Sequence, residues 1–296
     1  MTVKLIPANL AVVLVAIAQT GPSAPDHPAV TVQGQTYTPR SILARNMGTP
    51  EDQTTQFPPH KIIGNIYYVG TRTLSSFLVI TPQGNILINS TYERNVPTIR
   101  KSIEQLGFKF SDIKILLGTH AHGDHQEGDA LVKELTRAQV MVMSEDVPAL
   151  QAIKPGGKEH PIDKTLHDGE SVKLGGTTLT AHLTAGHTRG CTTWTMNAQD
   201  GGKTYNVVIG CSLRPPAVLT PATVEEFNRS FKRVSSLPCD VPLGDHPAQY
   251  DMQTKYAKLQ RDGGNPFVDP AGCHLEADVE EAMFHAILDE QKGAKP

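Results

Sequence analysis

The chain has 296 residues, of which 39% are hydrophobic and 19% charged, and its formal net charge is −3. This length suits one large domain or two small ones with a sizeable buried core. The net charge and the 5% aromatic content provide neither the basic patch nor the stacking residues of a nucleic-acid binder, so we expect no nucleic-acid partner.

The N-terminal residues have the pattern of an export signal. Lys4 is followed by an apolar run at 10–18 that ends in the small-x-small sequence Ala16-Ile17-Ala18. We therefore interpret residues 1–18 as a secretory signal peptide and expect a periplasmic or secreted protein. This run is too short to span a membrane, and no other stretch is long enough. Residues 19–60 are rich in Pro, Thr and Gln, which predicts an N-terminal extension that wraps the surface and is partly disordered.

Regular secondary structure is predicted from Lys61 onward. Short apolar runs bounded by turn residues predict strands, and apolar residues at helical spacing predict helices. In the first half, strands are predicted at 62–69, 76–80, 85–89, 113–117 and 139–143, and helices at 96–106, 129–138 and 147–153. Residues 154–168 contain two prolines and two adjacent glycines and are predicted to form a loop.

The second half repeats the order of strands followed by helices. Strands are predicted at 172–174, 178–183, 192–196 and 205–209, an extended segment at 241–243, and helices at 223–236, 247–260 and 275–291. Thr223 and Glu226 are predicted to form a capping box. Two such halves predict an α/β fold with paired sheets and helices outside them, and no linker divides residues 61–296 into separate domains.

A dense group of potential metal ligands follows the predicted strand at 113–117. His120, His122, Asp124 and His125 lie within six residues. Burying these side chains without a metal would leave polar atoms and a charge uncompensated. A loop that leaves a buried strand can direct all of them toward one place, and their density indicates two adjacent metal ions.

Two further histidines, at 187 and 246, also follow predicted strands, which makes six candidate ligands in two sets. The first set is His120, His122 and His187, and the second is Asp124, His125 and His246. Zinc binds imidazole and carboxylate, and a catalytic zinc site keeps a position for water. We therefore predict two Zn²⁺ ions that share an activated hydroxide, with Asp124 as the candidate catalytic residue.

These segments resemble the signature sequences of the metallo-β-lactamase superfamily. The chain has His-x-His-x-Asp-His at 120–125, Gly-His-Thr-x-Gly at 186–190 with Trp194 four residues on, and Gly-Asp-His-Pro at 244–247. The ligand set is similar to that of subclass B3, because His125 follows Asp124 and the second site needs no Cys. The resemblance implies a four-layer αβ/βα sandwich with two zinc ions at the mouth between the sheets. It also implies that a zinc-bridging hydroxide hydrolyses small β-lactams: penicillins, cephalosporins and carbapenems.

The resemblance suggests residues that contact the substrate. Ser212 lies near the position where the family presents a Ser to the substrate carboxylate. Arg214 is close in sequence and can make a charge-assisted contact with the same group. The alternative is a plain strand end with a solvated Arg.

The four cysteines form an even set, which favours disulfides in an exported chain. The resemblance implies a disulfide between Cys239 and Cys273. Cys191 and Cys211 either pair or remain small buried hydrophobic residues. A related subclass uses a Cys in this region as a zinc ligand, but with His125 available we expect Cys211 not to be one.

Three positions depart from the family pattern. Asn89 stands where an Asp usually supports the ligand loop, Glu127 where Gly is more common, and Arg189 where Pro is frequent. Each can lower activity or alter the substrate range. Two alternatives therefore stay open: a lactonase or another ester or thioester hydrolase of the same fold, and a zinc-binding homologue with little activity. The sequence does not indicate an oligomeric state.

Overall fold

The computed structural model describes residues 24–261 and 263–293. The predicted signal peptide at 1–18 lies outside the described residues. None of the described helices is both long enough and apolar enough to cross a lipid bilayer.

The described part of the N-terminal extension has regular structure. It contains β1 (Val30–Val32) and β2 (Gln35–Tyr37), which form an antiparallel hairpin, and α1 (Pro39–Met47). A capping box between Thr38 and Ser41 starts α1. Tyr37 and Ile42 are buried in a cluster with aromatic residues of the C-terminal half. The expectation of partial disorder therefore does not hold for residues 30–47, whose few apolar side chains pack onto a distant part of the chain.

The first large sheet has seven strands in chain order. These are β3 (His60–Ile63), β4 (Ile66–Tyr68), β5 (Phe77–Thr81), β6 (Gly84–Ile88), β7 (Ile113–Leu117), β8 (Gln139–Met143) and β9 (Lys164–Leu166). Strands β3 to β6 pair antiparallel, and β6 to β9 pair parallel. The carboxyl ends of β6, β7 and β8 therefore lie at one edge of the sheet.

The second large sheet has five strands. These are β10 (Ser171–Leu174), β11 (Thr177–Leu183), β12 (Thr192–Asp200), β13 (Lys203–Gly210) and β14 (Val241–Gly244). The pairing is antiparallel except between β13 and β14, which run parallel.

The helices are placed on the outer sides of the two sheets. They are α2 (Val96–Gln105), α3 (Gly123–Gln126), α4 (Asp129–Thr136), α5 (Val147–Ala152), α6 (Pro221–Ser236), α7 (Met252–Arg261) and α8 (Leu275–Gly293). In β5, Phe77 and Val79 belong to the core between the sheets, whereas Leu78 belongs to the core under α2, α4 and α5. This alternation is what a strand buried on both faces requires. On the far side, α6 and α8 pack against the second sheet and each other, which completes the four-layer αβ/βα sandwich.

Three local features differ from the sequence prediction. The predicted loop at 154–168 contains β9, a strand too short to show alternation but held by parallel pairing with β8. Helix α6 is capped by the hydroxyl of Thr220, with Pro221 in the first turn, and not by Thr223. The predicted helix at 247–260 is interrupted because Asp251 adopts a left-handed conformation with φ of 52° between a 3₁₀ turn and α7.

Both cysteine pairs form disulfides. The Cys239–Cys273 bond, implied by the family resemblance, connects the segment before β14 to the segment before α8. Cys191 and Cys211 are also bonded, which decides between the two alternatives for these residues and removes Cys211 as a metal ligand.

Replacing Cys239 and Cys273 together by Ser should destabilise the fold. The bond closes a loop with a sequence separation of 34 residues, so its loss should lower the free energy of unfolding by about 4 kcal/mol in the chain-entropy treatment. Urea denaturation of both proteins under non-reducing conditions measures this difference. An unchanged free energy of unfolding would contradict a closed bond at this position.

Candidate metal centre

All six predicted ligands lie at the carboxyl ends of strands, at the mouth between the two sheets. His120, His122, Asp124 and His125 follow β7, His187 follows β11, and His246 follows β14. The loop after β7 is held from the second sheet, where the indole N–H of Trp194 donates to the carbonyl of Gly118 at 3.0 Å. The structure therefore brings the ligand segments of both halves together as the sequence predicts.

The first group consists of three histidines. The ring centroids of His120, His122 and His187 are 4.7–4.8 Å apart in each pair. One nitrogen from each ring lies within 4.8 Å of the others, a spacing that allows a shared metal ion. Three histidines with space for water are the donor set of a catalytic zinc site.

The second group joins a carboxylate to two histidines. Asp124 Oδ2 lies 3.3 Å from His125 Nε2 and 3.8 Å from His246 Nε2. The rings of His120 and His125 are 4.2 Å apart between centroids, so the two groups are adjacent. This arrangement suits two neighbouring ions.

Hydrogen bonds outside the groups determine which ring nitrogen each histidine presents. The Nδ1–H of His187 donates to the carbonyl of Arg214, and that of His246 donates to the carbonyl of Thr73, each at 3.0 Å. His120 Nδ1 lies 3.3 Å from the Asp245 carboxylate. With Nδ1 committed as a donor, Nε2 keeps its lone pair and faces the group.

The buried polar atoms of the centre fit a metal ion. Among the described residues, His120 Nε2 and both ring nitrogens of His125 are buried without a hydrogen-bond partner. Such atoms are costly in a folded protein unless an ion or water satisfies them. The unpartnered ring nitrogens of His120 and His125 are therefore free to bind a metal ion, as the donor set predicts.

The protonation states also favour metal binding. Burial lowers the pKa of His120 to about 3. Burial and the neighbouring charges of His120, His122 and Arg214 hold the pKa of His187 well below its usual value. For Asp124, burial alone would raise the pKa, but His125 outweighs it and keeps the pKa well below the ordinary range. At neutral pH these groups therefore offer imidazole lone pairs and an ionised carboxylate.

Two aspartates that support the centre were not among the predicted site residues. Asp245 is fully buried, orients His120 and accepts the Ser212 backbone N–H at 2.9 Å. Its position directly before His246 was the available sequence signal. Asp146 accepts hydrogen bonds from the Ala121 N–H (2.8 Å), the Thr188 hydroxyl (2.9 Å) and the Gly190 N–H (2.7 Å). It connects the first ligand loop to the His187 loop, and nothing in its local sequence indicates this.

Asn89 supports the ligand loop at the position where the family usually has Asp. Its side-chain oxygen accepts the Thr119 N–H at 2.9 Å, directly before His120, and its backbone has a positive φ of 64°. An amide provides the same acceptor as a carboxylate but without its charge. The contact to the loop is therefore retained in this chain.

The two predicted substrate-binding residues, Ser212 and Arg214, are placed differently in the structure. Ser212 is 3% exposed, and its hydroxyl donates to the buried Glu280 of α8. The hydroxyl therefore points into the protein in this structure, and its contact with a substrate carboxylate stays a prediction. Arg214 is half-buried, and its charge is close enough to lower the pKa values of His122 and His187, in both cases after the larger effect of burial. It remains available at the site.

The fold and the site together define a metal-dependent hydrolase class, and comparisons with known proteins identify the family. The sequence profile of the Metallo-beta-lactamase superfamily matches residues 69–200. The structure superimposes on the FEZ-1 metallo-β-lactamase of Legionella gormanii with a TM-score of 0.76 and 46% identity, covering 81% of this chain and 98% of that one. The chain belongs to the metallo-β-lactamase superfamily.

Two other relatives indicate how varied the similar proteins are. BJP-1, a subclass B3 metallo-β-lactamase of Bradyrhizobium japonicum, is 34% identical with a TM-score of 0.76, covering 82% of this chain and 98% of its own. A hydroxyacylglutathione hydrolase of Hyphomonas neptunium is 30% identical over 137 residues, which is 46% of this chain and 47% of that protein. This chain therefore spans about half the length of the second relative.

Removing one ligand from each group should separate the two metal sites. We expect His187→Ala to weaken binding at the first group and His246→Ala to weaken it at the second. The unaltered protein should then bind about two zinc equivalents and each variant about one. Zinc titration by calorimetry, with elemental analysis of the dialysed protein, measures this. His285→Ala, on the exposed face of α8, is the control. Unaltered stoichiometry and affinity in either ligand variant would contradict the assignment.

Removing the Asp146 carboxylate should loosen both ligand loops. Asp146→Ala leaves three donors without their acceptor, which should lower the free energy of unfolding by about 3 kcal/mol. It should also weaken zinc binding at the first group by roughly tenfold or more, as loss of an outer support usually does. The exposed Asp278→Ala is the matched control. If zinc affinity stays constant while stability falls, Asp146 supports the fold alone.

Proposed function

We propose that the protein is a zinc-dependent β-lactamase that opens the β-lactam ring of penicillins, cephalosporins and carbapenems. The observation that carries this proposal is the convergence of two ligand groups, three His in one and Asp with two His in the other. The solved relatives with which the chain shares nearly their whole length are metallo-β-lactamases, which supports the same substrate class.

The six ligand side chains would hold two Zn²⁺ ions side by side. When bound, these ions act as Lewis acids and make a water molecule acidic enough to be deprotonated at neutral pH. Burial lowers the pKa of His120, His122, His187 and His246, which keeps these rings neutral, and a protonated ring has no lone pair to offer. The Nδ1 contacts of His120, His187 and His246 prevent these three rings from turning away.

The Asp124 carboxylate is suited to position the attacking water as well as to bind metal. Its Oδ2 faces His125 and His246, and the side chain is 15% exposed toward the opening. Since the pKa of Asp124 is held low, its carboxylate is ionised and can accept a hydrogen bond from an attacking water at Oδ1. It can therefore orient the water for attack on the amide carbonyl.

Arg214 provides the contact for the carboxylate that β-lactam substrates carry on the fused ring. Its guanidinium is always charged and binds carboxylate in two parallel hydrogen bonds. The carbonyl of the same residue orients His187, so a substrate held by Arg214 lies beside the first group. Because the Ser212 hydroxyl points inward, Arg214 provides this contact to the substrate carboxylate.

A thioester or lactone hydrolase of the same fold is the second candidate. The similarity to the hydroxyacylglutathione hydrolase favours it. Such enzymes usually provide a bridging Asp where this chain has Gly210-Cys211-Ser212, and Cys211 is here bonded to Cys191 and unable to bind metal. The ligand set therefore favours β-lactams.

Two further observations support export of the protein. Two disulfides among the described residues require an oxidising compartment to persist. Together with the signal-like N-terminus, they support a periplasmic or secreted location, where β-lactams are encountered.

Turnover of imipenem and nitrocefin by the purified protein tests the proposed function. We expect hydrolysis of both, abolished by a zinc chelator and restored by added Zn²⁺. S-lactoylglutathione and a homoserine lactone serve as comparison substrates. Hydrolysis of either comparison substrate without β-lactam turnover would support the second candidate, and zinc binding with no turnover would indicate a homologue without catalytic function.

A further inference from the structure

A buried carboxyl group of α8 has no role in the function proposed above. Glu280 is 1% exposed, and none of the ion pairs in the described part of the chain includes it. The cation Arg45 is paired instead with Glu276, one turn earlier on α8, at 2.5 and 2.7 Å. Taking a carboxyl group out of water is costly unless hydrogen bonds compensate for the loss. The hydrogen bonds of Glu280 therefore indicate what this side chain does.

The two oxygens of Glu280 bind a segment that has no regular structure. Residues 211–214 follow β13 and belong to neither a helix nor a strand. Glu280 Oε2 accepts the backbone N–H of Leu213 at 2.6 Å, and Oε1 accepts the hydroxyl of Ser212 at 3.2 Å. One side chain thus binds two successive residues, which restrains both the position and the direction of the 211–214 segment.

The 211–214 segment is also bound from two other elements. The N–H of Cys211 donates to Thr193 Oγ1 of β12 at 3.3 Å, and the N–H of Ser212 donates to the Asp245 carboxylate after β14 at 2.9 Å. Three consecutive N–H groups, the last of them bound from α8, therefore donate to side chains of three different elements. Buried backbone donors that no sheet or helix satisfies need such partners.

The 211–214 segment ends at a residue that orients the first ligand group. The carbonyl of Arg214 accepts the Nδ1–H of His187 at 3.0 Å. Because Leu213 directly precedes Arg214, the hydrogen bond of the Leu213 N–H restrains where this carbonyl lies. The second group is oriented from elsewhere, since His246 donates to the carbonyl of Thr73. An effect carried by the Leu213 N–H should therefore be confined to the first group.

Helix α8 is itself held in place from two directions. The Arg45–Glu276 ion pair connects it to α1. On its buried face, Val279, Met283 and Phe284 belong to a hydrophobic cluster that also contains residues of α6. A side chain on a packed helix keeps a more precise position than one on a loop. Glu280 therefore gives the 211–214 segment a fixed point of attachment.

We propose that Glu280 is a positioning residue of the first metal group. Through the N–H of Leu213 it sets the position of the Arg214 carbonyl, and that carbonyl turns Nε2 of His187 toward the metal. The inference deepens the proposed function at one ligand. It rests on the zinc binding proposed for this group and not on the substrate.

Two substitutions of similar shape at position 280 test the proposal. Glu280→Met keeps an unbranched side chain but has no oxygen acceptor, whereas Glu280→Gln keeps an acceptor for the Leu213 N–H. Each is combined with His246→Ala, which leaves the first group to bind zinc, and separately with His187→Ala, which leaves the second. We expect Glu280→Met to weaken zinc binding at the first group by roughly tenfold, as loss of an outer support does, and to leave the second group unaltered. Glu280→Gln should retain most of the affinity of the first group. Calorimetric zinc titration measures both affinities.

Ile287→Ala is the control for lost stability. Ile287 is buried on α8 two turns beyond Glu280, and its truncation removes packing but no hydrogen bond. It should lower the melting temperature and leave the zinc affinity of both groups unaltered. A purely structural role of Glu280 predicts that Glu280→Met behaves in the same way.

Unaltered zinc binding at the first group in Glu280→Met, or equal weakening of both groups, would overturn the proposal. A Glu280→Gln variant as weak as Glu280→Met would also overturn it. If Glu280→Met does not fold, Glu280→Asp withdraws the carboxylate by one methylene, and unaltered binding at the first group in that variant has the same consequence. Zinc binding is measured without substrate, so a protein that hydrolyses no β-lactam fails the proposed function alone.

Discussion

Each histidine of the candidate centre has two ring nitrogens, of which Nε2 faces the ligand groups in His120, His187 and His246. The centre depends on the contact that the other nitrogen, Nδ1, makes in these three residues. For His187 and His246 that contact is a backbone carbonyl, and for His120 it is the Asp245 carboxylate. These acceptors set the tautomer and stop rotation of the rings. Burial then keeps the rings unprotonated. A cluster of histidines without such contacts would be basic, mobile and a poor host for a dication.

The contacts that orient the ligands also join the two halves of the molecule. Strand β12 of the second sheet bonds the loop after β7 twice, through the Trp194 indole and through the Thr192 N–H to the Thr119 carbonyl at 2.7 Å. Asp146, from the first half, holds the His187 loop of the second. The candidate metal centre therefore lies where the two sheets meet and where packing keeps the backbone rigid. Ligands that must hold precise positions require such support.

The relatives to which this chain is similar are named for different activities, here metallo-β-lactamases and a hydroxyacylglutathione hydrolase. Bound metal ions would supply the same chemistry for different substrates, so substrate specificity has to come from the residues around them. In this chain the residues around the candidate centre include Arg214 and the Cys191–Cys211 disulfide. They are charged or shape-defining side chains on loops, where changes leave the fold intact.

Sequence alone predicted the six candidate ligands that the structure brings together in two groups, because potential metal-binding side chains at strand ends are a local pattern that needs no knowledge of packing. It also determined most strands and helices and, through the family resemblance, the four-layer arrangement. It did not reveal the structure of residues 30–47, whose apolar side chains are buried in a cluster with residues of α6 and α8. Asp146 and the inward direction of Ser212 were equally inaccessible to it. Their partners lie 25 to 68 residues away in the chain, and only tertiary packing decides which distant donor or acceptor a buried polar group finds.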